Sequence, residues 1–198
     1  MFLDYFFIIT TVIGIVLTIY YGKKSLELEK SKKKLEFSDF LSCANDLGAK
    51  IKQKKGFRPD LVFTPGLRGG TFAHLLLKEF DYDLPVFVGV SSWKSDKGSK
   101  NHINGFFLIE TSKWFMHVPE STLDWKDKKM LIVDDFAMSG DFLAKAKDFF
   151  ISHGFREENI KTLCIVTTKV AIKNHKSPDY YWMETLDDNF YFPWGKAR

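Results

Sequence analysis

Two adjacent acids, Asp134 and Asp135, follow a short apolar run, Met130-Leu131-Ile132-Val133. Carboxylates at the end of a buried strand can accept hydrogen bonds from sugar hydroxyls. They can also hold a hydrated Mg²⁺, a hard cation that takes oxygen ligands and keeps several waters. Four residues after the second acid, Ser139 and Gly140 open a helical pattern running from Asp141 to Phe150. A small loop entering a helix presents unpaired N–H groups, and these favour a phosphate. Acids for hydroxyls and N–H groups for a phosphate, in one loop, suit a phosphorylated sugar.

The competing reading is a Walker B strand of a nucleotide hydrolase. That element needs a Gly-x-x-x-x-Gly-Lys-Ser/Thr partner, and the chain has none. A second unit of similar design lies earlier. Arg58-Pro59-Asp60 introduces the apolar run Leu61-Val62-Phe63-Thr64, which feeds Pro65-Gly66-Leu67-Arg68-Gly69-Gly70-Thr71. The pattern from Phe72 to Phe80 is helical. Glycines let a backbone approach a ligand closely, and Arg68 is a fixed planar cation suited to phosphate. The plainer reading of this stretch is a tight turn with a solvated arginine. In open α/β sheets ligands sit at the carboxyl ends of strands, where both loops fall.

These loops need a sheet to hold them. Besides Leu61–Thr64 and Met130–Val133, strands are expected over Val86 to Ser91 and Ile160 to Thr168. Phe37, Phe40, Leu41, Ala44, Leu47 and Ile51 recur at i, i+3, i+4 spacing and predict one core-facing helix, ended by Gly56. Ser92 to Asn104 is polar and reads as a mobile loop. Gly105–Glu110 and Lys113–Val118 predict a hairpin or lid, and the chain closes on an aromatic stretch, Pro178 to Trp194.

The chain has 198 residues, 45% of them hydrophobic and 20 of them Phe, enough for one domain with a full core. The net charge of +4 lies largely in one early segment, so it gives no clear nucleic-acid signal. Cys43 and Cys164 sit in apolar patterns without metal-ligand spacing and read as reduced core residues.

Tyr5 to Gly22 carries no charge and is rich in Phe, Ile, Val and Leu. Its length is near the short end of the ~17–25 residues that span a bilayer. Lys23, Lys24, Lys30, Lys32, Lys33 and Lys34 follow, which puts that flank in the cytoplasm by the positive-inside rule. The expectation is a single-pass anchor in the inner (cytoplasmic) membrane over residues 1–22, with membrane contact through 5–22. A basic helical stalk over 23–36 and a cytoplasmic domain over 37–198 complete it. A greasy helix packed on another protein is the alternative.

The combination resembles the type I phosphoribosyltransferases, closest to the xanthine/hypoxanthine (purine) type. The apolar run with Asp134-Asp135, a spacer and Ser139-Gly140 resembles their motif for 5-phosphoribosyl-1-pyrophosphate (PRPP). Pro59-Asp60, Leu67-Arg68-Gly69-Gly70, Pro178 to Tyr181 and Phe192 to Trp194 resemble further family segments in the family's order. The resemblance covers roughly residues 37–198. It implies an α/β fold: a parallel sheet flanked by helices with a small C-terminal hood, here preceded by a single transmembrane helix. It implies PRPP or a related sugar phosphate as ligand, Mg²⁺ as cofactor, and displacement of pyrophosphate by a purine nitrogen. It leaves a homo-oligomer open.

By position, the resemblance makes Asp134 and Asp135 the catalytic acids, holding the ribose hydroxyls and the metal directly or through water. Ala137, Met138, Ser139, Gly140, Asp141 and Phe142 form the phosphate loop. Leu67, Arg68, Gly69 and Gly70 meet pyrophosphate. Lys169 and Phe190 take the base. Three positions depart from the family pattern: Met138 stands where Thr or Asp is usual, Asp141 where the residue is often basic or small, and Phe142 where Thr closes the motif. Asn189 stands where an aromatic is expected. These departures support a second reading, an effector or ligand-binding module of a bacterial defence or signalling system without standard turnover.

Overall fold

The structure is a computed structural model describing residues 2–31, 33–54, 56–80, 83–96, 102–186 and 188–197, with side chains described for 10–25 of the first helix. The chain begins with α1 (Phe2–Ser31), β1 (Lys33–Lys34), α2 (Phe37–Gln53), β2 (Leu61–Thr64) and α3 (Leu67–Leu77). It continues through β3 (Val86–Val88), β4 (Val90–Trp93), β5 (Phe106–Glu110), β6 (Trp114–Pro119) and β7 (Met130–Ala137). Then come α4 (Asp141–Ser152), β8 (Ile160–Thr168), α5 (Lys169–Lys173), β9 (Tyr180–Thr185), β10 (Phe190–Phe192) and β11 (Gly195–Lys196).

The central sheet runs β3-β2-β7-β8-β9, with every pair parallel. Its inner strands β2, β7 and β8 are mostly apolar and buried because both faces are covered, while the edge strands β3 and β9 are partly exposed. Successive side chains alternate between the faces. Val62, Leu131, Val133 and Leu163 join the core under α2 and α3, where Phe40, Leu47, Phe72 and Leu76 are buried. Leu61, Phe63, Met130 and Ile132 join the core under α4, with Leu143, Ala146 and Phe150. The register Leu61↔Met130↔Ile160 brings the three strand starts level. The carboxyl ends of β2 and β7 therefore open on the same edge.

Two small sheets flank this frame. One is antiparallel, β4-β6-β5, and contains the expected hairpin. Its third strand was not expected. The run Val86 to Ser91 splits at Gly89, because β3 stays in the central sheet while β4 turns away to pair with β6. A Cβ at Gly89 would lie 2.8 Å from the His117 carbonyl oxygen, so only glycine passes there. Of the polar loop Ser92 to Asn104, residues 97–101 lie outside the described residues.

The other small sheet joins the two ends of the domain. β1 pairs in parallel with β10, and β10 pairs antiparallel with β11. The helix expected through Glu36 thus stops short. The Leu35 N–H donates to the Tyr191 carbonyl at 2.9 Å, and the Leu35 side chain is buried beside Phe190 and Phe192. Burial of one leucine among aromatic rings outweighs the helical propensity of the lysines around it. The predicted stripe of α2 is also corrected. Phe40, Ala44, Leu47 and Ile51 are buried, but Phe37 and Leu41 are exposed.

Tyr5 to Gly22 lies within α1, but residues 5–9 are outside the described side chains. Among the described residues, no helix is long and apolar enough to cross a membrane.

Candidate active site

The turn after β2 is tighter than the sequence pattern suggests. Leu67, Arg68, Gly69 and Gly70 form the first turn of α3 itself, with Gly66 as N-cap. The Gly70 N–H donates back to the Gly66 carbonyl at 3.1 Å. The N–H groups of Leu67, Arg68 and Gly69 precede that first helical bond and are left for a ligand. Gly69 explains the early helix start. A Cβ there would lie 2.4 Å from the Val133 carbonyl oxygen and 2.9 Å from the Asp134 Cα. The helix therefore begins in direct backbone contact with β7. Arg68 is half-buried, and its Nη1 donates to the Lys196 carbonyl at 3.2 Å.

β7 runs further than its apolar residues. It continues through both acids to Ala137, because β8 supplies partners as far as Thr167. Asp134 Oδ1 accepts a bond from the Asp135 N–H at 2.9 Å. Asp135 is buried, and its Oδ2 accepts from Trp194 Nε1 at 2.8 Å. Trp194 is held by a parallel stack on Phe192, with ring centroids 5.3 Å apart. Burial pushes Asp134 well above the usual carboxylate range, and the negative charge of Asp135 pushes it further. Burial also raises Asp135, against the opposing pulls of the Trp194 bond and the Arg68 charge. Burial is thus the first cause of the rise at both acids, and two carboxyls this close resist ionising together.

The loop from Ala137 to Phe142 enters α4 through Gly140, whose φ of +77° only glycine adopts without strain. The Ala144 N–H closes onto the Gly140 carbonyl at 3.0 Å, leaving the N–H groups of Asp141, Phe142 and Leu143 ahead of that first helical bond. The Met138 carbonyl accepts from the Thr168 hydroxyl, which pins the loop to the end of β8. Met138 packs on the α2/α3 core, while Phe142 packs on the α4 core and lies 6.1 Å from the Trp114 ring. The positions that lack hydroxyls have thus become apolar contacts. Ser139 Oγ donates to Asp141 Oδ2 at 2.8 Å, and Lys176 Nζ lies 2.5 Å from Asp141 Oδ1.

One cavity of about 750 Å³ takes in both loops. Leu67 and Arg68 line one part, the acid pair the middle, and Ala137 to Phe142 another. Trp93 and Trp114, stacked at 4.0 Å, line it from the antiparallel sheet, and Trp194 lines it from the C-terminal turn. Gly69 and Gly70 do not line it with side-chain positions; they set the backbone behind it.

The description "Phosphoribosyl transferase domain" matches residues 36–197. The chain belongs to that family. Among curated proteins none matches it. A purine phosphoribosyltransferase from Pyrococcus horikoshii is similar in structure, with 21% identity, a TM-score of 0.60, and coverage of 84% of this chain and 95% of that one. The xanthine-guanine-hypoxanthine phosphoribosyltransferase of Helicobacter pylori is 18% identical, with a TM-score of 0.53 and coverage of 82% and 93%. A hypothetical protein from Neisseria gonorrhoeae, with bound ppGpp, is 16% identical, with a TM-score of 0.57 and coverage of 82% and 89%.

Two expected base-binding residues of this phosphoribosyl transferase domain do not reach the cavity. Phe190 is 1% exposed and packs on Phe192 with centroids 5.1 Å apart, so its ring faces the core instead of a ligand. Lys169 opens α5 and is exposed, away from the cavity lining. The sequence reading also missed residues that matter here. Trp194 was visible as part of the aromatic ending and of the family segment Phe192 to Trp194, but with no role at the acid pair. Lys176 and Trp114 gave no local signal, since Lys176 reaches the loop from the connection after α5 and Trp114 lines the cavity from β6.

The acid pair suits Mg²⁺ better than a cation needing a full protein cage. Among the described residues, no group of three or more His, Cys, Asp or Glu could hold a metal. Mg²⁺ is commonly held by one or two carboxylates together with water and substrate phosphates, and Asp134 and Asp135 supply that number.

Proposed function

We propose that this phosphoribosyl transferase domain binds PRPP with Mg²⁺ and transfers the phosphoribosyl group to a purine-like base, releasing pyrophosphate. The carrying observation is the arrangement along one cavity: two helix starts with an acid pair between them. A ligand with an anion at each end and hydroxyls in the middle matches it, and PRPP has that form. The N–H groups of Leu67 and Arg68 and the Arg68 guanidinium take the pyrophosphate. The start of α4 takes the 5-phosphate, and Asp135, held by Trp194, takes the ribose hydroxyls. Asp134 and Asp135 would hold Mg²⁺, which would supply positive charge to offset that of the pyrophosphate. As the C1–O bond breaks, its electrons leave with pyrophosphate, a bond from the base nitrogen to C1 forms, and the proton on that nitrogen passes to water. Arg68 and the α3 N–H groups stabilise the negative charge on the departing oxygens.

The test is pyrophosphate release from PRPP and Mg²⁺ with a panel of purine bases. Release that requires one of the bases supports the proposal. PRPP binding without release under any of them favours the second reading, a ligand-binding or effector module. The observation favouring that second reading is the loss of phosphate-loop hydroxyls to Met138 and Phe142.

Attachment of α1 to the cytoplasmic membrane, with the domain in the cytoplasm, is part of the proposal. Val12, Ile13, Ile15, Val16, Leu17 and Ile19 are all exposed on α1, and Lys23 and Lys24 follow them. Exposed apolar side chains over more than half of a helix's circumference favour lipid or a partner over water. Fractionation without detergent tests this: recovery of the full chain in the soluble fraction would overturn it.

A further inference from the structure

We propose that Lys176 is the phosphate-recognising cation of the α4 loop, and that Asp141 holds its place until a phosphate arrives. The proposal rests on the PRPP reading above and assigns a residue to the 5-phosphate that the loop itself does not contain.

Lys176 lies in the connection between α5 and β9, far from the loop in sequence. That connection is fixed at both ends. The Lys176 N–H donates to the Ala171 carbonyl at 3.0 Å. Asp179 exchanges bonds with Thr162, receiving from its N–H at 2.9 Å and donating an N–H to its Oγ1 at 3.0 Å. Between these points the Lys176 backbone lies directly on the loop. A Cβ at Gly140 would lie 1.9 Å from the Lys176 carbonyl oxygen. The ammonium group reaches Asp141 Oδ1, while Asp141 Oδ2 accepts the Ser139 hydroxyl. Asp141 is thereby kept ionised, below the usual carboxylate range, by Lys176 first and Ser139 second.

The carboxylate thus engages both groups that would otherwise serve a phosphate: the loop's hydroxyl and a nearby cation. Two oxygens of a phosphate can replace the two oxygens of Asp141, with a larger negative charge for Lys176. Losing the hydroxyls at Met138 and Phe142 is offset by a full positive charge. Asp141, meanwhile, opposes any phosphate through like charge and through its hold on Lys176. The two partners of one ion pair should therefore affect binding in opposite directions.

The experiment titrates ribose 5-phosphate, PRPP and unphosphorylated ribose into the full chain and into Lys176→Met, Lys176→Arg and Asp141→Asn. Lys176→Met should weaken ribose 5-phosphate and PRPP about tenfold or more, the scale of one charge-assisted bond. Lys176→Arg should restore most of the loss. Asp141→Asn should strengthen both ligands, and none should change the response to ribose. Melting curves confirm that each variant is folded. Equal binding by the parent and Lys176→Met overturns the proposal and leaves the PRPP reading standing. Weakening by Asp141→Asn as well as Lys176→Met also overturns it, because the pair is then only structural. A parent that binds neither phosphorylated compound overturns the PRPP reading and the proposal together.

Discussion

The two helix starts that face the cavity are built differently. At α3 the geometry is set by backbone against backbone: Gly69 lies where any Cβ would strike Val133 and Asp134 of the central strand. At α4 a close backbone contact, Gly140 against the Lys176 carbonyl, is joined by side chains: Ser139, Asp141 and Lys176 bond to one another, and Thr168 pins the Met138 carbonyl. The first start tolerates no change but keeps its N–H groups free. The second exchanges partners more easily and is open to regulation by charge. An anion site can therefore be fixed by close packing or tuned by ion pairs, and this domain uses one of each.

The comparison breaks most visibly at its glycines. Gly69→Ala must push α3 off β7, and it should cost about 3 kcal/mol or more, as overpacking against unyielding backbone does. Gly140→Ala adds strain at positive φ and puts its Cβ 1.9 Å from the Lys176 carbonyl oxygen, closer still than the contact at Gly69, so its cost should be at least as large. Denaturant unfolding of both variants decides the matter. A much smaller loss at Gly140 would mean that the connection yields where the central strand does not.

Trp194→Phe keeps the stack on Phe192 and deletes the N–H that Asp135 accepts. A buried carboxylate losing a donor should cost about 1–3 kcal/mol at neutral pH. The loss should shrink as pH falls, since Asp135 protonates and then needs the donor less. A cost independent of pH would show that Trp194 matters through packing alone.

Asp134→Asn sharpens the electrostatic side. The folded-state pKa of Asp134 is raised, so the folded chain holds a proton that the unfolded chain releases. Its contribution to stability is therefore lost as pH rises from the unfolded value towards the folded one. Removing the acid should raise the melting temperature at neutral pH by about 2–4 °C, the scale of 1 kcal/mol in a chain of this size. The gain should vanish in acid. Melting curves across pH test this, and a lower melting temperature at neutral pH would contradict it.

Lys169→Ala should do least. The residue is exposed and outside the cavity, so stability should stay within about 0.5 kcal/mol and PRPP affinity should not move. A marked loss of affinity would return Lys169 to the site.

The same contrast explains what could be read from the chain. Strands β2 and β8 were legible to their ends because mostly apolar runs sit in inner strands of a sheet buried on both faces. The start of α3 was misread as a loop, since its glycines signal a turn when the packing that requires them is unseen. β7 was read too short because pairing with β8, and not hydrophobicity, carries it past the acids. The acid pair and Arg68 were legible as a pattern of chemical groups. Lys176 and Trp194 were not, because each depends on a fold that brings a distant connection onto the loop. Phe190 was assigned to a base by its aromaticity, while its neighbours Phe192 and Leu35 claim the ring for the core.

The most direct measurement is calorimetric titration of PRPP into the domain, with and without Mg²⁺, for the parent and for Asp135→Asn. Asp135 accepts the Trp194 N–H, and that bond and the Arg68 charge both oppose the upward pull of burial on its carboxyl. The account predicts Mg²⁺-dependent binding by the parent, and a loss of at least about tenfold in the folded variant, as befits a charge-assisted contact. Parent-like binding by Asp135→Asn, with the same Mg²⁺ dependence, would contradict it.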